Sequence, residues 1–283
     1  NNIFHDEGET YEGFQPTFES DVIDNNFTAG VTGDKSGWNY DLSASFGSNA
    51  VDYKVDNSQN LDMGAESPTT FNPGGYKFSH SVTNFDLSKS LGMITLGLGS
   101  EFRFENFVAL AGEEASYFGG GPQNAVDVNR QNFGFYVDLG ADVTDDFYVG
   151  MAARSEEYSD FGNSFTWKGA GRFKAMDDRL SLRASMSTGF RAPSLHQIYM
   201  SNIQTLISGG TVSNQGTFNN HSPVIRSLGV DKLKEENATN TTFGVALKPM
   251  DGLDLSLDVY NVAVDDRICL LYTSDAADDT LGV

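Results

Sequence analysis

The chain has 283 residues, with 18 Lys and Arg against 39 Asp and Glu for a formal net charge of −21, 12% aromatic residues, 30 Gly and a single Cys. So acidic a chain lacks the cations that neutralise phosphate, which excludes a nucleic-acid binder, and one Cys excludes an internal disulfide or a Cys-based zinc site. No apolar run approaches the ~18 residues of a membrane-spanning helix, no basic-then-apolar leader opens the chain, and the aromatic content is too high for disorder.

The apolar pattern has period two, which predicts strands. Segments near Phe27 and Val31 fit it loosely. Trp38, Tyr40, Leu42, Ala44 and Phe46 then share one face, with Asn39, Asp41, Ser43 and Ser45 on the other. The stretch 76–89 slips phase between Val82 and Phe85, as a bulge would. Ile94, Leu96, Leu98, Phe102 and Phe104 oppose Thr95, Glu101, Arg103 and Glu105. Phe133, Phe135, Val137 and Leu139 follow, then Phe147, Val149, Met151 and Ala153, then Phe165, Trp167 and Phe173, then Leu180, Leu182 and Met186. Phe243, Val245 and Leu247 precede Leu253, Leu255, Leu257 and Val259. About ten strands result, several longer than the ~9–11 residues a tilted strand needs to cross a bilayer.

The polar face carries full charges. In a soluble sandwich such a face lies outside; in a membrane barrel it lines a wet lumen while the apolar face meets lipid. Connection lengths favour the barrel. Segments 33–37, 89–92, 143–146, 176–179 and 248–252 read as tight turns. Segments 57–75, 111–130 and 191–240 read as long loops, and 157–163 as intermediate. Alternating them puts tight turns at one rim and long loops at the other. The expected fold is all-β, a transmembrane antiparallel up-and-down β-barrel fragment. Trp38, Tyr40, Phe102, Phe104, Phe133, Phe135, Phe165 and Trp167 would share its lipid face.

Several motifs then occur in order. Residues 188–199 read Thr-Gly-Phe-Arg-Ala-Pro-Ser-Leu-His-Gln-Ile-Tyr. Before them come Trp38-Asn-Tyr-Asp-Leu-Ser, Ser67-Pro-Thr-Thr-Phe, Gly99-Ser-Glu-Phe-Arg and Arg154-Ser-Glu-Glu-Tyr-Ser-Asp-Phe-Gly. After them come Leu233-Lys-Glu-Glu-Asn-Ala-Thr-Asn and Tyr260-Asn-Val-Ala-Val-Asp-Asp-Arg-Ile. Over about 12–268 the chain resembles TonB-dependent outer-membrane receptors. The resemblance implies about ten strands of a ~22-stranded barrel, filled in the family by an N-terminal plug. It implies TonB-energised uptake of a scarce or bulky ligand (ferric siderophore, haem, cobalamin or glycan) across the outer membrane of a Gram-negative bacterium. The partners implied are the TonB–ExbB–ExbD complex, reached through the missing N-terminal region, the small-molecule or glycan ligand, and outer-membrane lipid, with no nucleic acid. Residues 1–24 read as an acidic extracellular loop remnant, 25–268 as the partial barrel and 269–283 as a non-native tail. From Cys269 the tail reads as the translation of a transposase-based sequencing adapter. Passive porin-like or autotransporter barrels, and a soluble acidic β-rich adhesin, remain the alternatives.

Chemical motifs are weak. His5, His80, His196 and His221 lie in no ligand-spaced cluster, so no metal or cofactor is expected. Ser194 and His196 lack a G-x-S-x-G elbow, and Gly119-Gly120-Gly121 lacks the Lys-Ser/Thr of a phosphate loop. No enzyme activity or catalytic residue is expected. The candidate ligand-binding residues are Arg191, His196, Gln197 and Tyr199, where a strand gives way to the longest loop. For Arg191 and Pro193 the competing reading is structural, with Pro193 ending the ladder and Arg191 pairing a lumenal carboxylate. Glu113, Glu114, Asp127 and Asp160, read as loop residues, would disfavour a strongly anionic ligand.

Overall fold

The computed structural model describes residues 15–117, 121–208 and 211–270. His5, Gly119, Gly120 and the tail beyond 270 lie outside the described residues. Ten strands form one antiparallel sheet: β1 (Thr17–Lys35), β2 (Trp38–Asp56), β3 (Gly74–Leu91), β4 (Ile94–Ala111), β5 (Val126–Thr144), β6 (Phe147–Tyr158), β7 (Gly162–Ala175), β8 (Leu180–Arg191), then β11 (Glu236–Met250) and β12 (Leu253–Asp265). Between β8 and β11 the chain forms a short helix α1 (Leu195–Tyr199), a separate hairpin of β9 (Asn202–Ser208) and β10 (Thr211–Thr217), and a second short helix α2 (Pro223–Ser227). Each strand of the large sheet pairs with the one before it, and β1 and β12 are its edges. No described helix is long and apolar enough to cross a membrane.

The ladder register carries the period-two pattern from strand to strand. Phe46 faces Ser81, Phe102 faces Phe133, Ala153 faces Trp167 and Phe173 faces Leu182. All eight aromatics expected on the lipid face therefore share it. The opposite face carries Asp86, Glu101, Arg103, Glu105, Arg130, Arg154, Glu156 and Arg183.

Tight turns join β1–β2, β3–β4, β5–β6, β7–β8 and β11–β12 at one rim. At the first of them Ser36 and Gly37 both hold positive φ, 56° and 74°. Two successive residues of that hand make the hairpin turn whose twist matches the flanking strands, and Gly takes the second without a Cβ penalty.

Four expectations need correction. β1 begins at Thr17, so part of the acidic segment assigned to a loop is strand, paired from Thr17↔Asp56 onward. The β4–β5 loop is 112–125, because Val126–Arg130 already pair with Ala109–Glu105, and Asp127 lies on the strand, held by Asn106 at 2.8 Å. The β6–β7 link is only 159–161, so loop length does not alternate there, although loop position does. β3 has no bulge: it pairs without a register shift to β2 and β4.

What shifts in β3 is the identity of the apolar face. Near the loop rim Tyr76 and Phe78 occupy the face that carries Asp86 and Asn84 lower down. β4 and β5 change at the same ladder level, where Phe78 faces Phe107 and Phe107 faces Val128. The outward positions there become polar: Ser79, Asn106 and Asn129, with Asn106 donating to Asn129 at 2.9 Å. These strands have 18–19 residues and outrun the bilayer. Beyond it the outer face meets water and the inner face meets protein. Phe107 is 0% exposed and Leu195 1%, and Tyr76, Phe78, Val126, Val128 and Tyr199 pack around them.

Candidate functional site

The site lies on the charged face, where β4, β5 and β6 run beneath the start of loop 192–235. A cavity of about 520 Å³ opens there. Glu101, Arg103, Glu105, Arg130, Arg154 and Glu156 form its wall, and Ala192, Ser194, Leu195 and His196 overhang it.

Alternation puts like-facing residues two apart, so charges on one strand reach along it and across the ladder. On β4, Arg103 reaches Glu101 at 3.0 Å. On β6, Arg154 pairs Glu156 at 2.5 Å and Glu101 at 3.4 Å. The Tyr158 hydroxyl donates to Glu156 at 2.9 Å and the Asn132 amide donates to it at 3.1 Å. Every guanidinium here has a carboxylate, which is what lets charge persist on a partly dry wall.

Arg130 is the most enclosed of them, at 3% side-chain exposure. Its Nε donates to Glu105 at 2.8 Å and its Nη1 donates to the Pro193 carbonyl at 2.7 Å. Asp160, in the β6–β7 turn, stands 3.5 Å from the same Nη1. The guanidinium also lies over the Tyr158 ring, 5.6 Å from its centre. Burial pushes the Asp160 carboxyl above its ordinary range, against the downward pull of Arg130.

Ser194 caps α1. Its hydroxyl accepts from the Gln197 amide at 3.2 Å, and the Gln197 side chain accepts from the Ser194 N–H at 3.0 Å, a reciprocal capping box. The cap directs Leu195 into the apolar patch and lays the His196 ring on Phe107, 4.2 Å between centres, with Phe78 at 5.6 Å. Burial lowers the His196 imidazole from its ordinary value.

Of the four candidate residues, His196 lines the cavity and Arg191 borders it. Arg191 holds Glu236 with two bonds, 2.8 and 2.7 Å, clamping β8 to β11 across the base of the long loop. Gln197 serves the cap, and Tyr199 packs against the patch and 5.5 Å from His221. Sequence reasoning missed Arg130 as a site residue because it was placed in a loop. Glu101, Arg103, Arg154 and Glu156 lie in two separate motifs, and nothing in either motif alone joins them. Their common face was visible in the alternation.

The loops above the site hold one another. The Asn60 amide donates to the Ala115 carbonyl at 2.8 Å, the Asn72 N–H to Glu113 at 2.7 Å, and Asn124 exchanges two bonds with the backbone of Ile203, 3.2 and 3.0 Å.

Residues 2–280 match the family described as TonB dependent receptor-like, beta-barrel. The chain belongs to that family. It is a family of transporters, not enzymes, whose barrels reside in the outer membrane. The siderophore receptor PirA from Acinetobacter baumannii is similar over 88% of this chain and 35% of its own, with 16% identity and a TM-score of 0.64. A mutant of the ferric enterobactin receptor PfeA from Pseudomonas aeruginosa is similar over 87% of this chain and 35% of its own, with 14% identity and a TM-score of 0.62. The RagAB peptide transporter is similar over 92% of this chain and 32% of its own, with 12% identity and a TM-score of 0.62. At these identities the likeness is one of fold. The chain spans about a third of the length of these structures. Comparison with curated proteins finds no match.

Proposed function

We propose that this receptor barrel belongs to an importer in the outer membrane of a Gram-negative bacterium, which takes up a scarce or bulky ligand with energy delivered by TonB–ExbB–ExbD. Ferric siderophores, haem, cobalamin and glycans are the ligand classes. The observation that carries the reading is the two-faced sheet. One face is apolar and bare, fit for lipid; the other is an ion-paired wall folded under a loop root, fit for a gated lumen rather than an open pore. TonB would act through a domain filling the barrel, and Arg191, His196, Gln197 and Tyr199, at the loop root, would border the path of the ligand.

The test uses the complete gene. Its deletion should abolish growth on one scarce nutrient from a panel of chelated iron, haem, cobalamin and glycans. Deleting TonB should abolish that growth equally. Uptake that persists without TonB, with porin-like conductance in planar bilayers, would sink the reading in favour of a passive pore.

A further inference from the structure

The strongest feature is the geometry around one nitrogen. Arg130 Nη1 donates to the Pro193 carbonyl at 2.7 Å, while the Asp160 carboxylate waits 3.5 Å from it. Pro193 is fully buried and belongs to the loop root; Asp160 belongs to a tight turn of the sheet. One donor thus has a near acceptor on a segment that can leave and a second acceptor on the wall.

We propose that Arg130 is a two-position latch for the root of loop 192–235. In the closed position Nη1 holds Pro193, and α1 covers the cavity. In the open position the root lifts and Nη1 closes on Asp160. The second acceptor is what makes the device reversible. A buried guanidinium that lost its only partner on that side would carry a large penalty, and opening would then be prohibited. With Asp160 in reach the cation stays paired in both positions, and Glu105 holds Nε throughout. The loop side is suited to moving. Five residues are too few to sustain a helix alone, so α1 persists by its cap and by docking Leu195 on Phe107. The proposal rests on the reading that this face lines the lumen of an outer-membrane barrel.

Loss of Asp160 should favour the closed root and act only through Arg130, which a purely structural network would not do. The complete receptor in outer-membrane vesicles, with Leu195→Cys and every native cysteine replaced by serine, is labelled with a water-soluble maleimide. Residue 195 is enclosed when the root is down, so the labelling rate reports opening. Arg130→Gln removes the bond of both positions and leaves Asp160 nothing to act on, so adding Asp160→Leu to it should not change the labelling rate further. Asp160→Leu removes the open-state acceptor and should slow labelling below the parent rate. Arg183→Gln breaks the Arg183–Asp258 pair elsewhere on the same face and should leave the rate unchanged. Faster or unchanged labelling in Asp160→Leu, or a further slowing when Asp160→Leu is added to Arg130→Gln, overturns the latch. If Arg130→Gln fails to give the heat-modifiable folded form, Asp160→Leu decides alone, and an unchanged or faster rate overturns the latch. A parent receptor without heat-modifiable migration overturns the barrel reading and the latch with it.

Discussion

Arg130 Nη1 and the Pro193 carbonyl, 2.7 Å apart and 63 residues apart in the chain, join the wall of the barrel to the root of its longest described loop. The bond brings three separated motifs to one point. Glu101 and Arg103 come from β4, Arg154 through Asp160 from β6 and its turn, and Pro193 from the segment after β8. Their order along the chain says nothing of this meeting; the ladder register and the cap on α1 produce it.

Phe107 is the apolar half of the same junction, at 0% exposure. Phe107→Ala removes a buried ring and leaves a cavity between β4 and α1, which should cost about 3–5 kcal/mol. Phe102→Ala, five residues away on the same strand and on the lipid face, should cost less, because no packed protein encloses that ring. Folding titrations in detergent, read by heat-modifiable migration, compare the two.

Neighbouring residues on β5 test the faces. Leu139 points outward and Asp138 into the lumen. Leu139→Arg should destabilise the barrel by about 2–4 kcal/mol, the cost of arginine at the bilayer midplane. Asp138→Arg should be tolerated, since no described partner depends on that carboxylate. Equal costs would contradict the assignment.

His196 gives the junction a pH dependence. Its docked pKa lies below the ordinary value of 6.5, so the docked state binds fewer protons than the free loop. Docking is then strongest above pH ~6.5 and weakens as pH falls below it. Asp160, raised by burial, opposes this only at lower pH as it protonates. Hydrogen exchange at the Ile198 and Met200 amides, which donate to Ser194 and His196 at 3.2 and 2.9 Å, should therefore be less protected at pH 5.5 than at 7.5 after correction for intrinsic rate. In His196→Phe the difference should vanish.

Much of the fold was legible in the sequence because a strand between lipid and water must alternate, and Phe133 through Leu139 or Leu253 through Val259 do so without interruption. The sequence was misleading where strands leave the membrane. Tyr76 and Phe78 look like a phase slip, yet the backbone is regular and only the surroundings change sides. The acidic start of β1 hid its strand for a related reason: paired backbone outside lipid needs no apolar residues. Arg191 is legible as the root of the long loop, but its partner Glu236 lies 45 residues away in another motif, and only the ladder register pairs them. Arg130 was not legible, because its partners lie 25, 30 and 63 residues away and only the register brings them together.

One face of this sheet meets lipid and the other a wet lumen. Nitroxide labels placed singly at residues 133–139 of the complete receptor, in native outer membrane, measure it most directly. Collision with oxygen, which concentrates in lipid, should peak at 133, 135, 137 and 139 and fall at 134, 136 and 138. A flat profile, or peaks at the even positions, would contradict the account.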